Sequence, residues 1–143
     1  MTRPIACRAI SEEYWLPMQP QAFYQVVADD FAAVDGIISN QLTSRVPLVE
    51  KIGDYITSAG GKRLRPLLVL LSGNALGLKG DQLRLLAAII EFLHTSTLLH
   101  DDVVDMSGMR RGRSTANALW GNAPIVLVGD FLYARSFEMM VTL

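Results

Sequence analysis

The stretch 82–105 constrains this chain more than any other, because apolar residues there surround nearly the whole circumference of a helix, and Asp81 stands where an N-cap is expected. A helix greasy on almost all sides belongs at the centre of a bundle. The rest of the sequence supplies neighbours for it. After Pro20, the residues Phe23, Val26, Val27, Phe31, Val34, Ile37 and Ile38 recur at three- and four-residue steps, which predicts a helix over 21–42. Leu48, Ile52, Tyr55 and Ile56 share one face over 47–57, and Gly60-Gly61 ends that helix in a loop. Pro66 suits the first turn of a third helix and Gly77 its exit. The polar run 107–113, with Gly108 and Gly112, reads as a loop. Ser114 or Thr115 is then expected to cap a short helix ending at Gly121, and Pro124 to start a last helix that runs to Leu143. No strand-like alternation or repeat competes with an all-α fold.

With 143 residues, half of them apolar, the chain can bury one core. Its net charge of −1 comes from interspersed acids and bases, so nothing draws the whole molecule to nucleic acid or anionic lipid. Cys7 has no partner for a disulfide and no zinc spacing occurs, which makes a reducing cytoplasm the expected location. The best candidate for a membrane span, 83–99, is interrupted by Arg84, Glu91 and His94 and falls short of the roughly 20 apolar residues a bilayer needs. It reads as a buried helix, and no transmembrane segment is expected. Residues 1–17 lack the apolar run of a secretory signal and are expected to form a disordered extension of unknown role, with the patterned domain covering 18–143.

Chemistry enters through a polar stripe on the central helix. Glu91, His94, Thr97, Asp101 and Asp105 fall within an arc of about 120° on an ideal helix. Ionised carboxylates without partners are costly to bury, so the stripe is expected to face water, a metal or basic groups inside the bundle. Asp101 and Asp105 lie one turn apart and can converge on a hard cation, with Asp102 beside them. An oxygen donor set without thiolates points to magnesium, which completes its shell with substrate phosphates. Three acids at a helix C-terminus also oppose the helix dipole unless a cation compensates.

Two basic clusters flank this stripe. Arg110, Arg111 and Arg113 follow the helix, and Lys62, Arg63 and Arg65 follow the glycine pair, where backbone can approach a phosphate. The second cluster is not a P-loop, since Arg63 stands where Ser or Thr would be needed. Other polar or aromatic residues carry less. Asp29-Asp30 is expected on a solvated face, His100 points away from the stripe into packing, and Trp120, Phe137, Met139 and Met140 are expected in the core.

Together, Gly60-Gly61-Lys62-Arg63-Leu64-Arg65-Pro66, the run from His94 through His100-Asp101-Asp102-Val103-Val104-Asp105, Met109-Arg110-Arg111-Gly112 and Gly129-Asp130-Phe131-Leu132 resemble the trans-isoprenyl diphosphate synthases, most closely the octaprenyl type. The ordered co-occurrence of several motifs from about residue 18 onward makes the resemblance specific. It implies an antiparallel helical bundle of the isoprenoid synthase kind and a magnesium-dependent prenyltransferase. Such an enzyme elongates an allylic diphosphate with isopentenyl diphosphate and acts as a homodimer when full length. By resemblance, Asp101 and Asp105 hold Mg2+ with Asp102 beside them. Lys62, Arg65, His94 and Arg111 hold isopentenyl diphosphate, and Arg110 binds the allylic diphosphate. Small residues at Ser96 and Thr97, where short-chain enzymes place aromatic rings, imply a medium- or long-chain all-trans product such as a quinone side chain.

The family's second aspartate-rich motif does not occur in this sequence, so the chain is expected to be a truncated, N-terminal half of the bundle and inactive by itself. Two alternatives share parts of the pattern. A non-catalytic helical subunit of a heteromeric synthase would usually lose the aspartates, which are intact here. A class I terpene synthase needs no isopentenyl pocket and hence no counterpart of Lys62, Arg65 and His94.

Overall fold

The computed structural model describes residues 20–58, 61–110 and 112–143, so the expected extension 1–17, Gly60 and Arg111 lie outside the described residues. The elements run α1 (Pro20–Val26), α2 (Ala28–Gln41), α3 (Pro47–Ser58), α4 (Leu64–Ala75), α5 (Asp81–Val104), β1 (Met109–Arg110), β2 (Arg113–Ser114), α6 (Ala116–Trp120) and α7 (Asn122–Met140). α5 is central, as its apolar circumference requires, and packs against α2, α4 and α7. It is also long and apolar enough, by length and composition, to cross a membrane.

The most extensive contact in the bundle is between α5 and α7. Three pairings give its direction: Gln82 donates to the Leu143 carbonyl, Ser96 to the Gly129 carbonyl at 2.9 Å, and His100 Nε2 lies 3.3 Å from the Val126 carbonyl. Position along α5 rises as position along α7 falls, so the two helices are antiparallel. Ala87, Ala88, Ile89, Phe92, Ser96 and Leu99 are buried on α5, and Ile125, Val128, Gly129, Leu132, Ser136 and Met139 on α7, at helical spacing. His100 packs over Gly129, as expected of a residue pointing away from the stripe.

Several local expectations are corrected. The single helix over 21–42 is broken at Val27, which leaves the helical region (φ −124°, ψ 23°) and closes a tight turn through its N–H to the Tyr24 carbonyl. Val27 is buried, and the kink turns it inward although no glycine or proline marks the site. Asp81 is not the N-cap of α5: Gly80 takes that place at φ +100°, and Asp81 instead pairs with Arg84. Asp30 is not simply solvated either, since Arg84 also binds it at 2.7 Å and so ties α2 to α5. The polar run after α5 is not a plain loop but an antiparallel two-stranded hairpin, Arg110 opposite Arg113, with Gly112 at φ +76°. α7 begins at Asn122, two residues before Pro124, and ends at Met140. Phe137 lies outside the core, 47% exposed and tilted against Tyr133 on the outer face of α7.

The end of α4 follows the expected glycine exit. Gly77 donates to Asn74 and Leu78 to Gly73, the paired bonds of a Schellman motif that consume two orphan carbonyls.

A Cβ at position 129 would stand 2.3 Å from His100 Nε2, whereas one at position 73 would meet the methyl end of Leu83. Gly73→Ala should therefore destabilise the chain by about 1–3 kcal/mol and Gly129→Ala by less, because Leu83 is buried while the His100 ring is about one third exposed and can swing aside. Urea unfolding midpoints at constant m-value would measure the difference.

Candidate active site

A cavity of about 550 Å³ opens between the C-terminal end of α3, the start of α4, the second half of α5 and the hairpin. One row of α5 forms its long wall. Glu91, Thr95, Leu98 and Asp102, at helical steps of four, three and four, all line it, and His94 borders it. Ile56, Phe92 and Leu99 add apolar surface. Glu91 and His94 both take part in further polar contacts.

The basic lip is 61–65. Lys62, Arg63 and Arg65 all line the cavity. Lys62 and Arg65 are exposed and make no ion pair among the described residues, whereas Arg63 pairs with Asp35 on α2. Arg63 is also the N-cap residue of α4, held in the left-handed region at φ 40°, ψ 47°. The Lys62 carbonyl accepts a hydrogen bond from Tyr24 on α1.

The acidic end is arranged differently from the sequence expectation. Asp102 is the buried carboxylate of the three, 5% exposed, and Arg110 grips it with two nitrogens, Nη2 at 2.6 Å and Nε at 3.0 Å from Oδ1. Both nitrogens converge on Oδ1, and Nε also lies 3.2 Å from Oδ2, which together fix the position and orientation of the guanidinium. The Asp102 backbone carbonyl accepts from Ser107 N–H and Asn117 Nδ2, so the end of α5, the hairpin and α6 all meet there. Asp101 and Asp105 are exposed and do not line the cavity. Of the expected stripe, Glu91 and His94 therefore border the cavity, while Asp101 and Asp105 lie on its exposed continuation. Helical residues advance by about 100°, so the cavity follows the Glu91–Asp102 row, and the neighbouring row through Asp101 and Asp105 has nothing packed over it among the described residues. No group of three His, Cys, Asp or Glu side chains converges on a metal position among those residues.

All three carboxylates nevertheless act on Arg110. Its pKa is raised above the ordinary arginine value, first by the hydrogen bond to Asp102 and then by the charges of Asp102, Asp101 and Asp105, with partial burial working the other way. A raised pKa in a base contributes stability that is present below the ordinary value and lost only on passing above the raised one, so the pair is intact throughout the neutral range.

The hairpin that carries Arg110 is fastened from its other strand. Tyr55 on α3 donates to the Ser114 carbonyl at 2.7 Å, and the Arg113 guanidinium sits 4.8 Å above the Tyr55 ring. Trp120 closes edge-on against the same ring at 5.1 Å. Arg113 also reaches the Ser58 carbonyl at the end of α3. Sequence patterning did not single out Tyr55 for this role, since its partner lies 59 residues away.

Of the residues proposed from sequence, the fold brings Lys62, Arg65, His94, Asp102 and Arg110 to one cavity, and Arg111 is outside the described residues. Ser96 and Thr97 do not line it. Ser96 is buried and spends its hydroxyl on Gly129 of α7, while Thr97 is exposed and bonds back to the His94 carbonyl.

Removing Arg110 would leave the Asp102 carboxylate buried without its partner. Because the Arg110 side chain is 40% exposed, Arg110→Ala should cost about 2 kcal/mol rather than the larger loss of a fully buried pair, and Arg110→Lys should recover only part of it. Chemical denaturation of the two variants checks this.

A family model described as polyprenyl synthetase matches residues 46–143. The chain is 52% identical over 126 residues to octaprenyl diphosphate synthase of Escherichia coli, an alignment covering 88% of this chain and 39% of that protein. Among solved structures it is similar to a decaprenyl diphosphate synthase from Rhodobacter capsulatus, with a TM-score of 0.82 and 47% identity, covering 87% of this chain and 38% of that one. It is also similar to a polyprenyl synthase from Caulobacter crescentus complexed with calcium and isoprenyl diphosphate, with a TM-score of 0.83, 44% identity and the same two coverages. The chain spans about two fifths of the length of the curated relatives it matches. With a family model matching more than half of its residues and a fold shared with solved members at 44–47% identity, the chain belongs to the polyprenyl synthetase family.

Proposed function

We propose that this chain carries the isopentenyl diphosphate pocket and the first aspartate-rich metal site of a trans-prenyltransferase. Such an enzyme elongates an allylic diphosphate to a medium- or long-chain all-trans polyprenyl diphosphate. The observation that carries the reading is the cavity itself, in which Lys62 and Arg65, without carboxylate partners among the described residues, share one space with His94 and the Asp102–Arg110 pair. Two cations without acidic partners beside an apolar wall suit a ligand with a diphosphate head and a hydrocarbon body. Isopentenyl diphosphate is such a molecule. Because the relatives are more than twice as long as this chain, the complete reaction is proposed for the whole family domain.

The residues divide the work as follows. Lys62, Arg65 and His94, with Arg111 by family resemblance, hold the diphosphate of isopentenyl diphosphate. The apolar surface of Ile56, Phe92, Leu98 and Leu99 surrounds its carbon chain and keeps water from the allylic cation that its double bond attacks. Arg110, fixed by Asp102, presents a permanent positive charge toward the allylic diphosphate. Asp101 and Asp105 fit magnesium because they are exposed, share one helix face and have no basic partner among the described residues, and because this ion commonly takes one or two carboxylates plus substrate phosphates. Bound there, magnesium supplies the charge that makes a diphosphate a competent leaving group. The calcium and isoprenyl diphosphate in the Caulobacter relative support a divalent cation beside a prenyl diphosphate. The small Thr97 on the exposed row of α5 supports a product longer than the short-chain prenyl diphosphates.

Calorimetric titration with isopentenyl diphosphate, with and without magnesium, tests the assignment. Lys62→Ala and Arg65→Ala should each weaken binding by about tenfold or more. The double variant Asp101→Ala, Asp105→Ala should leave that binding intact and remove the magnesium dependence of allylic diphosphate binding. Equal affinity for the unsubstituted chain and the Lys62→Ala variant would refute the pocket.

A further inference from the structure

The basic lip of the cavity does not support itself. Arg63 caps α4 in the left-handed region, where a residue with a β-carbon is disfavoured, and no side chain of its own segment caps the helix there. A conformation of that kind persists only when surrounding groups impose it. Two side chains from the N-terminal helices reach this short segment. The Tyr24 hydroxyl on α1 donates to the Lys62 carbonyl, and Asp35 on α2 pairs with the Arg63 guanidinium. Tyr24 is itself steadied, edge-on against Phe31 with ring centroids 5.5 Å apart. α1 and α2 both pack against α4, so the two ties join elements that are already neighbours.

Neither Tyr24 nor Asp35 lines the cavity, so neither is placed to touch a ligand in it. Their contacts fall between the two cations assigned to the diphosphate: one on the backbone of Lys62, the other on the side chain of Arg63, two residues before Arg65. A peptide held at its carbonyl on one side and through the next side chain on the other has little freedom to rotate. Rotation about that peptide would swing Lys62 relative to Arg65, which is anchored in the first turn of α4. We infer that Tyr24 and Asp35 are positioning residues, which hold the 62–63 backbone so that Lys62 and Arg65 converge on one diphosphate. The inference rests on the diphosphate reading of the cavity and adds to it the part of the fold that sets the spacing of its two cations.

The test uses calorimetric affinity for isopentenyl diphosphate in the full chain, alongside thermal melting of every variant. Tyr24→Phe keeps the ring on Phe31 and removes only the hydroxyl; it should weaken binding about three- to tenfold. Asp35→Asn breaks a half-exposed pair and should weaken it about two- to fivefold, with Asp35→Glu restoring most of the loss. The decisive arm combines Tyr24→Phe with Lys62→Ala. If Tyr24 acts through Lys62, the double variant binds as poorly as Lys62→Ala alone. Losses that multiply, or a fall in melting temperature with unchanged affinity, would make Tyr24 and Asp35 a structural staple and overturn the inference while leaving the diphosphate reading intact. Indifference of binding to Lys62→Ala itself would bring down that reading, and this inference with it.

Discussion

The close approach of α5 to α7 sets the position of everything else. It depends on small residues at the contact: a hydroxyl at Ser96 that bonds the Gly129 carbonyl, and the bare Cα of Gly129, over which the His100 ring lies. Larger side chains at either position would spread the helices and remove both contacts. Because the pair is antiparallel and in fixed register, the rotation of α5 about its axis is fixed as well. That rotation decides which of its polar rows meets the cavity and which meets the outside. Ser96, which by resemblance falls at a position associated with product length, is small here for a reason the fold supplies directly: it sits inside the α5–α7 contact.

The charges at the end of α5 then separate into two kinds. Asp102 is buried, bonded twice to Arg110, and joined through its backbone to the hairpin and to α6, so it acts as an anchor. Asp101 and Asp105 stay exposed and carry no such partner among the described residues. Three adjacent acids of similar intrinsic chemistry thus acquire different roles from burial alone. An acid held by a bidentate guanidinium has little remaining capacity for a metal ion, while the exposed pair keeps all of its oxygens. The same pairing keeps Arg110 charged and aimed.

Much of this was legible in the sequence, and the failures have physical causes. The helices of the bundle could be read because apolar period, prolines and glycines act locally: Pro47 and Pro66 lie in first turns, and Gly77 ends α4 in a left-handed turn. The break at Val27 was not legible, since no glycine or proline marks it and the buried residue continues the apolar period on both sides. The hairpin was missed because two-residue strands are too short to show alternation. The choice between the polar rows of α5 was not legible for a related reason. Glu91, Thr95, Leu98 and Asp102 form as good a row as the one through Asp101 and Asp105, and the sequence does not say which row its neighbours leave open. Motif residues could be collected by resemblance, but the residues that hold them could not. Tyr24 and Asp35 contact positions 38 and 28 residues away, with two whole helices and one whole helix in between.

The cavity therefore has two lips held by different means. The basic lip is tied by α1 and α2, whose contacts to 62–63 are one hydrogen bond and one half-exposed ion pair. The acidic lip is tied twice, by Arg110 to Asp102 from one strand of the hairpin and by Tyr55 to Ser114 and Arg113 from the other. Several bonds to a buried carboxylate and an aromatic platform together hold the hairpin at more points than the two contacts that hold the basic lip. Thermal motion should then concentrate in the basic lip, where the left-handed residue also stores strain. A ligand with a doubly charged head adds contacts to that weaker side on binding, so Lys62 and Arg65 are the groups whose freedom it reduces most. On the proposed reading, the hairpin side is held by contacts within the hairpin and α3, and the basic side by Tyr24 and Asp35 together with whatever diphosphate it binds.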